Sequence, residues 1–497
     1  MALLMGYDVG SSSVKATLLD AGTGRVLASA TSPDRELEMI AKKPGWAEQH
    51  PDTWWEHVKR ATASIRERSQ FDPWDVKAIG ISYQMHGLVA VDNKQQVLRP
   101  SIIWCDSRAV QIGQAAAKAI GPKKCLKRLL NLPGNFTASK LAWVKQNEPK
   151  VYAKIAKIML PGDFIAMKMT GEIKTTPSGL SEGILWDFEK DALADFVLAN
   201  YGISTDRIAE TVPTFSIQGE LTAAAAEELG FKAGTKISYR AGDQPNNALS
   251  LGVLKPGEVA VTAGTSGVVY GVTDKKNFDP KSRVNVFVHV NHAAKKSRYG
   301  VLLCVNGTGI LNSWLKHNFG GDGIDYPRMN ELAAEAPVGS EGLVILPYGN
   351  GAERTLENRN IGASVHGWNF NIHKKAHFLR AAQEGIVFAL NYGLQIMKGM
   401  GTSLKTVKAG NANMFLSPLF AEAFATITDA KVELYNTDGS QGAARGAGIG
   451  AGLYRSSDDA FVGLRPVRTV LPNKRLKKAY EGAYENWQAV LDRATVE

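Results

Sequence analysis

The sequence is poor in cysteine, with three among 497 residues, and poor in long apolar runs. Cys105, Cys125 and Cys304 are odd in number and lack CxxC spacing, which argues against a disulfide framework or a zinc knuckle and points to a reducing compartment. The apolar stretch Ala2-Leu3-Leu4-Met5 is broken by Asp8, and no later run reaches the length of a membrane span. A cytoplasmic protein without a membrane partner is expected. No GK dipeptide occurs, so the Walker A loop is missing. The HRD and DFG elements of protein kinases are missing as well. A bound nucleotide would need another fold.

Charge of one sign is also in modest excess, 58 Lys+Arg against 48 Asp+Glu. The densest basic runs, Lys123-Lys124 through Lys127-Arg128 and Lys474-Arg475 through Lys477-Lys478, carry no interleaved aromatics for base stacking. They read as solvated faces, and no nucleic-acid partner is expected. At 44% hydrophobic and 21% charged residues, the chain has ordinary globular usage and enough length for two to four domains.

The first thirty residues predict an antiparallel meander: a strand over 3–8, the small-residue turn Gly10-Ser11-Ser12-Ser13, a strand over 14–19, the turn Gly22-Thr23-Gly24, and a third strand from Arg25. A similar phrase returns at Val259 to Val272 around Gly264-Thr265-Ser266-Gly267. The leading glycines, Gly10 and Gly264, stand 254 positions apart, which suggests a diverged duplication. Between the copies, Pro51 to Arg68 predicts a long helix with Trp54, Trp55, Val58, Ala61 and Ile65 at helical spacing. A strand follows over 76–82. Further helices are expected over 139–146, 221–229, 377–398 and 416–428, with strands over 342–346 and 431–434. The fold class is α/β, and the stretch 234–243 reads as the seam between halves.

Gly, Ser and Thr tips let several backbone N–H groups converge on phosphate. Both tips fit that chemistry, and both also fit plain hairpin turns. Asp8, at the end of an apolar strand beside the first tip, stands where an acid could organise Mg²⁺ on a nucleotide. Asp243, in Ala241-Gly242-Asp243-Gln244, follows a β-rich run and precedes a small-residue helix. It could take a proton from an attacking hydroxyl, or simply cap that helix. Gln84-Met85-His86-Gly87 ends a strand and offers contacts suited to a sugar. The run Gly446 to Gly452 lacks the acid of a dinucleotide site, with Arg468 twenty residues beyond Gly448, and reads as tight helix packing. His373 and His377 are spaced i,i+4 without the intervening Glu of HExxH and make no metal site. His289 and His292 fall on opposite faces of a period-2 strand.

Taken together, Asp8 to Lys15, Gly45-Trp46-Ala47-Glu48-Gln49, Gln84 to Gly87, Trp104-Cys105-Asp106-Ser107-Arg108, Gly242-Asp243, Gly264 to Gly267 and Glu353-Arg354-Thr355 resemble the FGGY carbohydrate kinases. Within that family, Gln-Met-His-Gly resembles the xylulokinase branch. The resemblance implies two RNase H-like domains of the actin and sugar-kinase type with an interdomain cleft, spanning 1–238 and 239–473. It also implies a C-terminal helix, about 474–497, returning to the first domain.

The resemblance further implies phosphorylation of D-xylulose to D-xylulose 5-phosphate, with ATP and Mg²⁺ as cofactors. Asp243 is then the general base and Asp8 the catalytic carboxylate that holds Mg²⁺ through water. Met85, His86, Trp104, Asp106 and Gln244 would contact the sugar. Ser11, Ser12 and Lys15, Gly264, Thr265 and Ser266, and Gly410 and Asn413 would contact the nucleotide, with Asn306-Gly307-Thr308-Gly309 nearby. Gln244 stands where the branch usually has Asn, and Cys105 replaces a common Asn. The adenosine segment reads Ala409-Gly410-Asn411-Ala412, and Leu356 follows Thr355. A kinase of another ketose or polyol, or an actin-type nucleotide switch without catalysis, remains in competition. The resemblance leaves room for a homodimer, and no exposed interface is legible.

Overall fold

The chain builds two mixed sheets in turn, in a computed structural model that describes residues 1–319, 323–352, 354–402, 404 and 406–496. The first sheet holds β1 (Leu3–Val9), β2 (Val14–Asp20), β3 (Val26–Ser32), β4 (Val76–Tyr83), β5 (Phe215–Glu220) and β6 (Lys236–Gly242), in the order β5-β6-β4-β1-β2-β3. The second holds β7 (Val259–Ala263), β8 (Gly267–Thr273), β9 (Asn285–Val288), β10 (Tyr299–Val305), β11 (Thr406–Gly410), β12 (Lys431–Tyr435) and β13 (Pro466–Val470), in the order β9-β10-β8-β7-β11-β12-β13. In each sheet the leading strand is antiparallel to the next and parallel to a later one, β4 or β11, which in turn is parallel to β6 or β12. The shared plan bears out the duplication suggested by the two tips.

The helices used below are α1 (Pro51–Arg68), α2 (Thr137–Asn147), α3 (Pro177–Glu182), α4 (Asp243–Ser250), α5 (Gly309–Phe319), α6 (Lys375–Gly399), α7 (Pro418–Thr428), α8 (Gly439–Gly450) and α9 (Lys477–Val496). α1 has the predicted bounds, with Pro51 in its first turn and Trp54, Trp55, Val58, Ala61 and Ile65 buried. It covers one face of the first sheet through β2 and β3. The opposite face is covered by α8, which lies on β1, β4, β6 and β2. A sheet buried on both faces needs near-continuous apolar strands, and in β1 every residue but Asp8 is buried.

Helix and sheet meet at backbone distance because both surfaces are small. A Cβ on Gly6 would overlap the Ser440 carbonyl, and one on Gly80 the Ala443 carbonyl. Thr17 Oγ1 and Ser440 Oγ then share a hydrogen bond of 2.7 Å. Gly446, Gly448 and Gly450 of the glycine-rich run are helix packing, as read from the sequence, against Tyr239, Leu4 and the Ser238 carbonyl, while Gly452 lies past the helix end with open space around it.

Two boundary readings are corrected. The stretch 234–243 is no seam. Residues 236–242 form β6, hydrogen-bonded inside the first sheet, and α4 begins at Asp243. The chain passes to the second sheet only over 251–258. The C-terminal helix does not return to the first half. α9 packs on α7 and on the strand Val344–Tyr348, with Trp487 Nε1 donating to the Ile345 carbonyl at 3.1 Å and Arg380 Nη2 to Tyr480 Oη at 3.1 Å. The segment that crosses back is α8.

Edge strand β9 is stitched to the first half by side chains. The Asn131 amide donates to the Val286 carbonyl at 2.7 Å and accepts from the Val286 N–H at 2.9 Å. Ser181 Oγ accepts from the Val288 N–H at 2.9 Å, and Arg354 Nη2 donates to the Leu132 carbonyl at 2.8 Å. Among the described residues, no helix is long and apolar enough to cross a membrane.

Candidate active site

Parallel pairing fixes where the first half places its chemistry. In β1 and β4, Asp8 is level with Ser82, and in β6 and β4, Gly242 is level with Tyr83. Asp8, the Gln84–His86 turn and Asp243 therefore emerge together at the carboxyl ends of three parallel strands, where open α/β sheets bind ligands.

Asp8 is half-buried, and its Oδ1 accepts from Ser82 Oγ at 2.8 Å. Burial raises its pKa, Ser82 and Lys15 act against that, and the Asp438 charge adds to it. The adjoining tip is closed by the Gly10 N–H on the Ser13 carbonyl at 3.0 Å. Ser12 and Lys15 are exposed. Ser11 is gripped by two of the motif segments: its carbonyl accepts from Gln49 Nε2 at 2.7 Å, and its hydroxyl from Trp104 Nε1 at 3.2 Å.

Asp243 opens α4, with Gly242 as N-cap. Burial raises its pKa to about 7, the Asp8 charge contributes next, and hydrogen bonds from Gln244 pull it back. A base with pKa near the working pH is suited to taking a proton from a hydroxyl. Glycine is required at 242, because a Cβ there would lie 2.5 Å from both Glu182 Oε2 and Met85 Cγ. Met85 is thereby placed against the Gly-Asp turn.

His86 is half-buried and Trp104 exposed at this end of the sheet. Asp106 is different. It is fully buried, with Oδ2 accepting from the Ala47 N–H at 2.6 Å and Oδ1 from the Arg108 N–H at 2.9 Å. The Arg108 guanidinium grips both oxygens, reaches Glu48 at 2.7 Å, and lies 3.8 Å from the centroid of Trp46. With its oxygens so engaged, Asp106 is corrected from a sugar contact to the anchor of the Trp104 segment. The Gly45–Gln49 segment belongs to the same scaffold.

The second half supplies the other tip. Gly264 and Thr265 follow β7, and the Gly309 and Ile310 N–H groups donate to their carbonyls at 2.7 and 3.2 Å. A Cβ on Gly309 would overlap the Gly264 carbonyl, so glycine lets the N-terminus of α5 reach the tip. Helix N-termini favour anions. Ser266 Oγ lies 3.5 Å from Asn306 Oδ1, which ties the Asn306–Gly309 segment to this tip. Beside it opens a cavity of about 850 Å³ lined by Gly264, Thr265, Ile310, Ser313, Asn413 and Leu416 among others. Asn413 takes φ +53 where the chain turns around that cavity. Gly410 ends β11 with open space where a side chain would stand. Glu353 lies outside the described residues.

Sequence reasoning missed four residues. Asp438 caps α8 and, with Gly439, faces Asp8. Lys140 and Glu182 are fully buried behind His86 and Asp243. Phe287 reaches His86 from β9. A signal existed only for Asp438, an Asp before a Gly/Ala helix, which is an N-cap pattern.

Among the described residues, no group of three or more His, Cys, Asp or Glu is placed to hold a metal ion. Asp8, with Asp438 beside it and no side chain at Gly439, is the carboxylate that could meet a cation arriving on nucleotide phosphates.

Models of the N-terminal and C-terminal domains of the FGGY family of carbohydrate kinases match residues 3–250 and 259–453. The gap between them falls where the chain passes from α4 to β7. A xylulose kinase of Bacillus subtilis (strain 168) is 30% identical over 470 residues, covering 92% of this chain and 90% of that one. The crystal structure of xylulose kinase from Rhodospirillum rubrum superposes with a TM-score of 0.88 at 25% identity, covering 99% of this chain and 98% of that one. Gluconate kinase from Lactobacillus acidophilus superposes with a TM-score of 0.91 at 21% identity, over 99% and 98% of the two chains. That last likeness is one of fold alone.

Proposed function

The chain belongs to the FGGY family of carbohydrate kinases, and from that premise we propose that it transfers the γ-phosphoryl group of ATP to the 5-hydroxyl of D-xylulose. The observation that carries this reading is Asp243: a half-buried carboxyl with pKa near 7 that feels the Asp8 charge and follows a glycine packed against Met85. The sugar's 5-oxygen attacks the γ-phosphorus as Asp243 accepts its proton. An O–P bond forms, the bond to the β,γ-bridging oxygen breaks, and ADP leaves with those electrons.

Such a transfer needs alignment and charge neutralisation more than covalent help. Ser11, Ser12 and Lys15 on one tip, and Gly264, Thr265 and Ser266 on the other, would hold the phosphates. Asp8 would hold the nucleotide's Mg²⁺ through water. The cavity at Asn413 would take the adenosine, with Gly410 at its margin. Met85, His86, Trp104 and Gln244 would contact the ketose.

The charges of Asp8 and of Asp243 once it has lost its proton favour a neutral ketose over a sugar acid. A coupled ADP-release assay across pentuloses, hexuloses, polyols and aldonates tests the reading. D-Xylulose should give the highest kcat/KM; a preference for ribulose, glycerol or gluconate overturns the substrate assignment.

A further inference from the structure

His86 is held on every side but one. It takes φ +62, an uncommon conformation for a residue with a side chain. Its carbonyl receives Lys140 Nζ at 2.8 Å, and the same ammonium reaches the Ile103 carbonyl at 2.9 Å. Lys140 thus ties the His86 turn to the residue before Trp104. On the ring, Nδ1 lies 2.9 Å from the Glu182 carbonyl. A carbonyl only accepts, so Nδ1 carries the hydrogen. The ring stands edge-on to Phe136, centroids 4.9 Å apart, and tilted against Phe287 at 5.7 Å. One clamp comes from each half. Burial, with the charges of Lys140 and Arg354, lowers its pKa to about 3. The ring therefore stays neutral, and Nε2 is a bare lone pair without a partner among the described residues.

We propose that His86 is locked as a one-way hydrogen-bond acceptor which reads a sugar hydroxyl through Nε2, and that Lys140 is the positioning residue that keeps it so. The subsite then admits only a group that can donate. A fluorine, an ether or a carbonyl oxygen there sets lone pair against lone pair, and a missing hydroxyl leaves Nε2 without its partner on the sugar. Either defect should reduce kcat/KM by about 10- to 100-fold. The two tethers matter because a histidine free to turn or exchange tautomers could present N–H instead.

The inference rests on the sugar-kinase reading but not on which sugar is used. Its test therefore takes whichever ketose ranks first in the substrate panel, so a failure of D-xylulose there leaves this result readable. Deoxy and deoxyfluoro analogues are compared at each hydroxyl other than the one phosphorylated, since fluorine accepts but does not donate. At one position both analogues should lose about 10- to 100-fold, and in His86→Ala the parent and both analogues should converge to within about threefold. If no position loses its discrimination in His86→Ala, or if the fluoro analogue there matches the parent sugar, the proposal fails.

Lys140→Met should raise the sugar KM at least about tenfold with the ATP KM held within about twofold. Equal changes in both would mark Lys140 as general scaffolding and overturn its positioning role. If Lys140→Met does not fold, Lys140→Gln, whose amide nitrogen ends one bond short of the ammonium and so withdraws from both carbonyls, is measured by the same ratio: a selective rise in sugar KM supports the role, and no selective rise overturns it.

Discussion

Gly439, the first residue of α8, lies directly against Asp8: a Cβ on the glycine would overlap the carboxylate at Oδ2. The helix that seals the first sheet thus starts against the acid proposed to hold the nucleotide's Mg²⁺. Gly439→Ala should push Asp8 aside without removing it. Small displacements of reacting groups cost about 100-fold, so kcat should fall by that order while sugar binding, followed by calorimetry, is retained. Unchanged kcat would separate Asp8 from the transfer step.

Asp243→Asn keeps the shape and removes the base. A fall in kcat of about 10²- to 10⁴-fold is expected, with ATP affinity by calorimetry unaltered. The base works only without its proton, so parent activity should fall as pH drops below about 7. The Asp8 charge helps to raise that value, so the residual activity of Asp8→Asn should show the same limb at lower pH. A limb that does not move would remove Asp8 from the coupling.

Stability should move the other way. The Asp243 pKa rises from the usual 3.8 to about 7 on folding, so the folded state disfavours the charged form. That penalty is complete above pH 7, shrinks as pH falls from 7 towards 4, and vanishes below. Asp243→Asn should therefore be more stable than the parent at pH 8, by about 1 to 3 kcal/mol, and about equal at pH 4. Urea midpoints at the two pH values decide it.

Asp106→Asn probes the anchoring of the Trp104 segment. It leaves the buried Arg108 guanidinium short of its main partner, a defect of about 3 to 5 kcal/mol. The expected signature is a lowered midpoint of unfolding with little change in sugar KM of the folded enzyme. A stable variant with a raised sugar KM would restore Asp106 as a contact.

The sequence made the leading strands and α1 legible because their signals are local: alternating turns of Gly and Ser, a proline at a first turn, and five apolar residues on one helical face. Gly242 and Gly234 were misleading for the same reason. They resemble loop punctuation, yet Gly234 turns into β6 and Gly242 caps α4, so the strand between them reads as a seam. The amphipathic pattern of α9, with Tyr480, Trp487, Val490 and Leu491 buried, says that one face is covered but not by which half. Lys140 and Glu182 were invisible because a charge on a helix is read as solvent-facing, and only the tertiary fold reveals two carbonyls waiting for one ammonium. Asp8, Asp243 and the two tips are legible as local patterns that a family resemblance joins, and strand register brings Asp8 and Asp243 to one end of the first sheet.

The return of α8 has a bearing on how the molecule is made. During synthesis the ribosome must travel to about residue 450 before the amino-terminal sheet receives its second cover. Until then Leu4, Leu19 and Ala78, which rest on Ala444 and Ala447, have only water to face. Severing the polypeptide between the halves would therefore yield one greasy, unfinished fragment and one carrying an orphan helix, so the two lobes must mature as a single cooperative product.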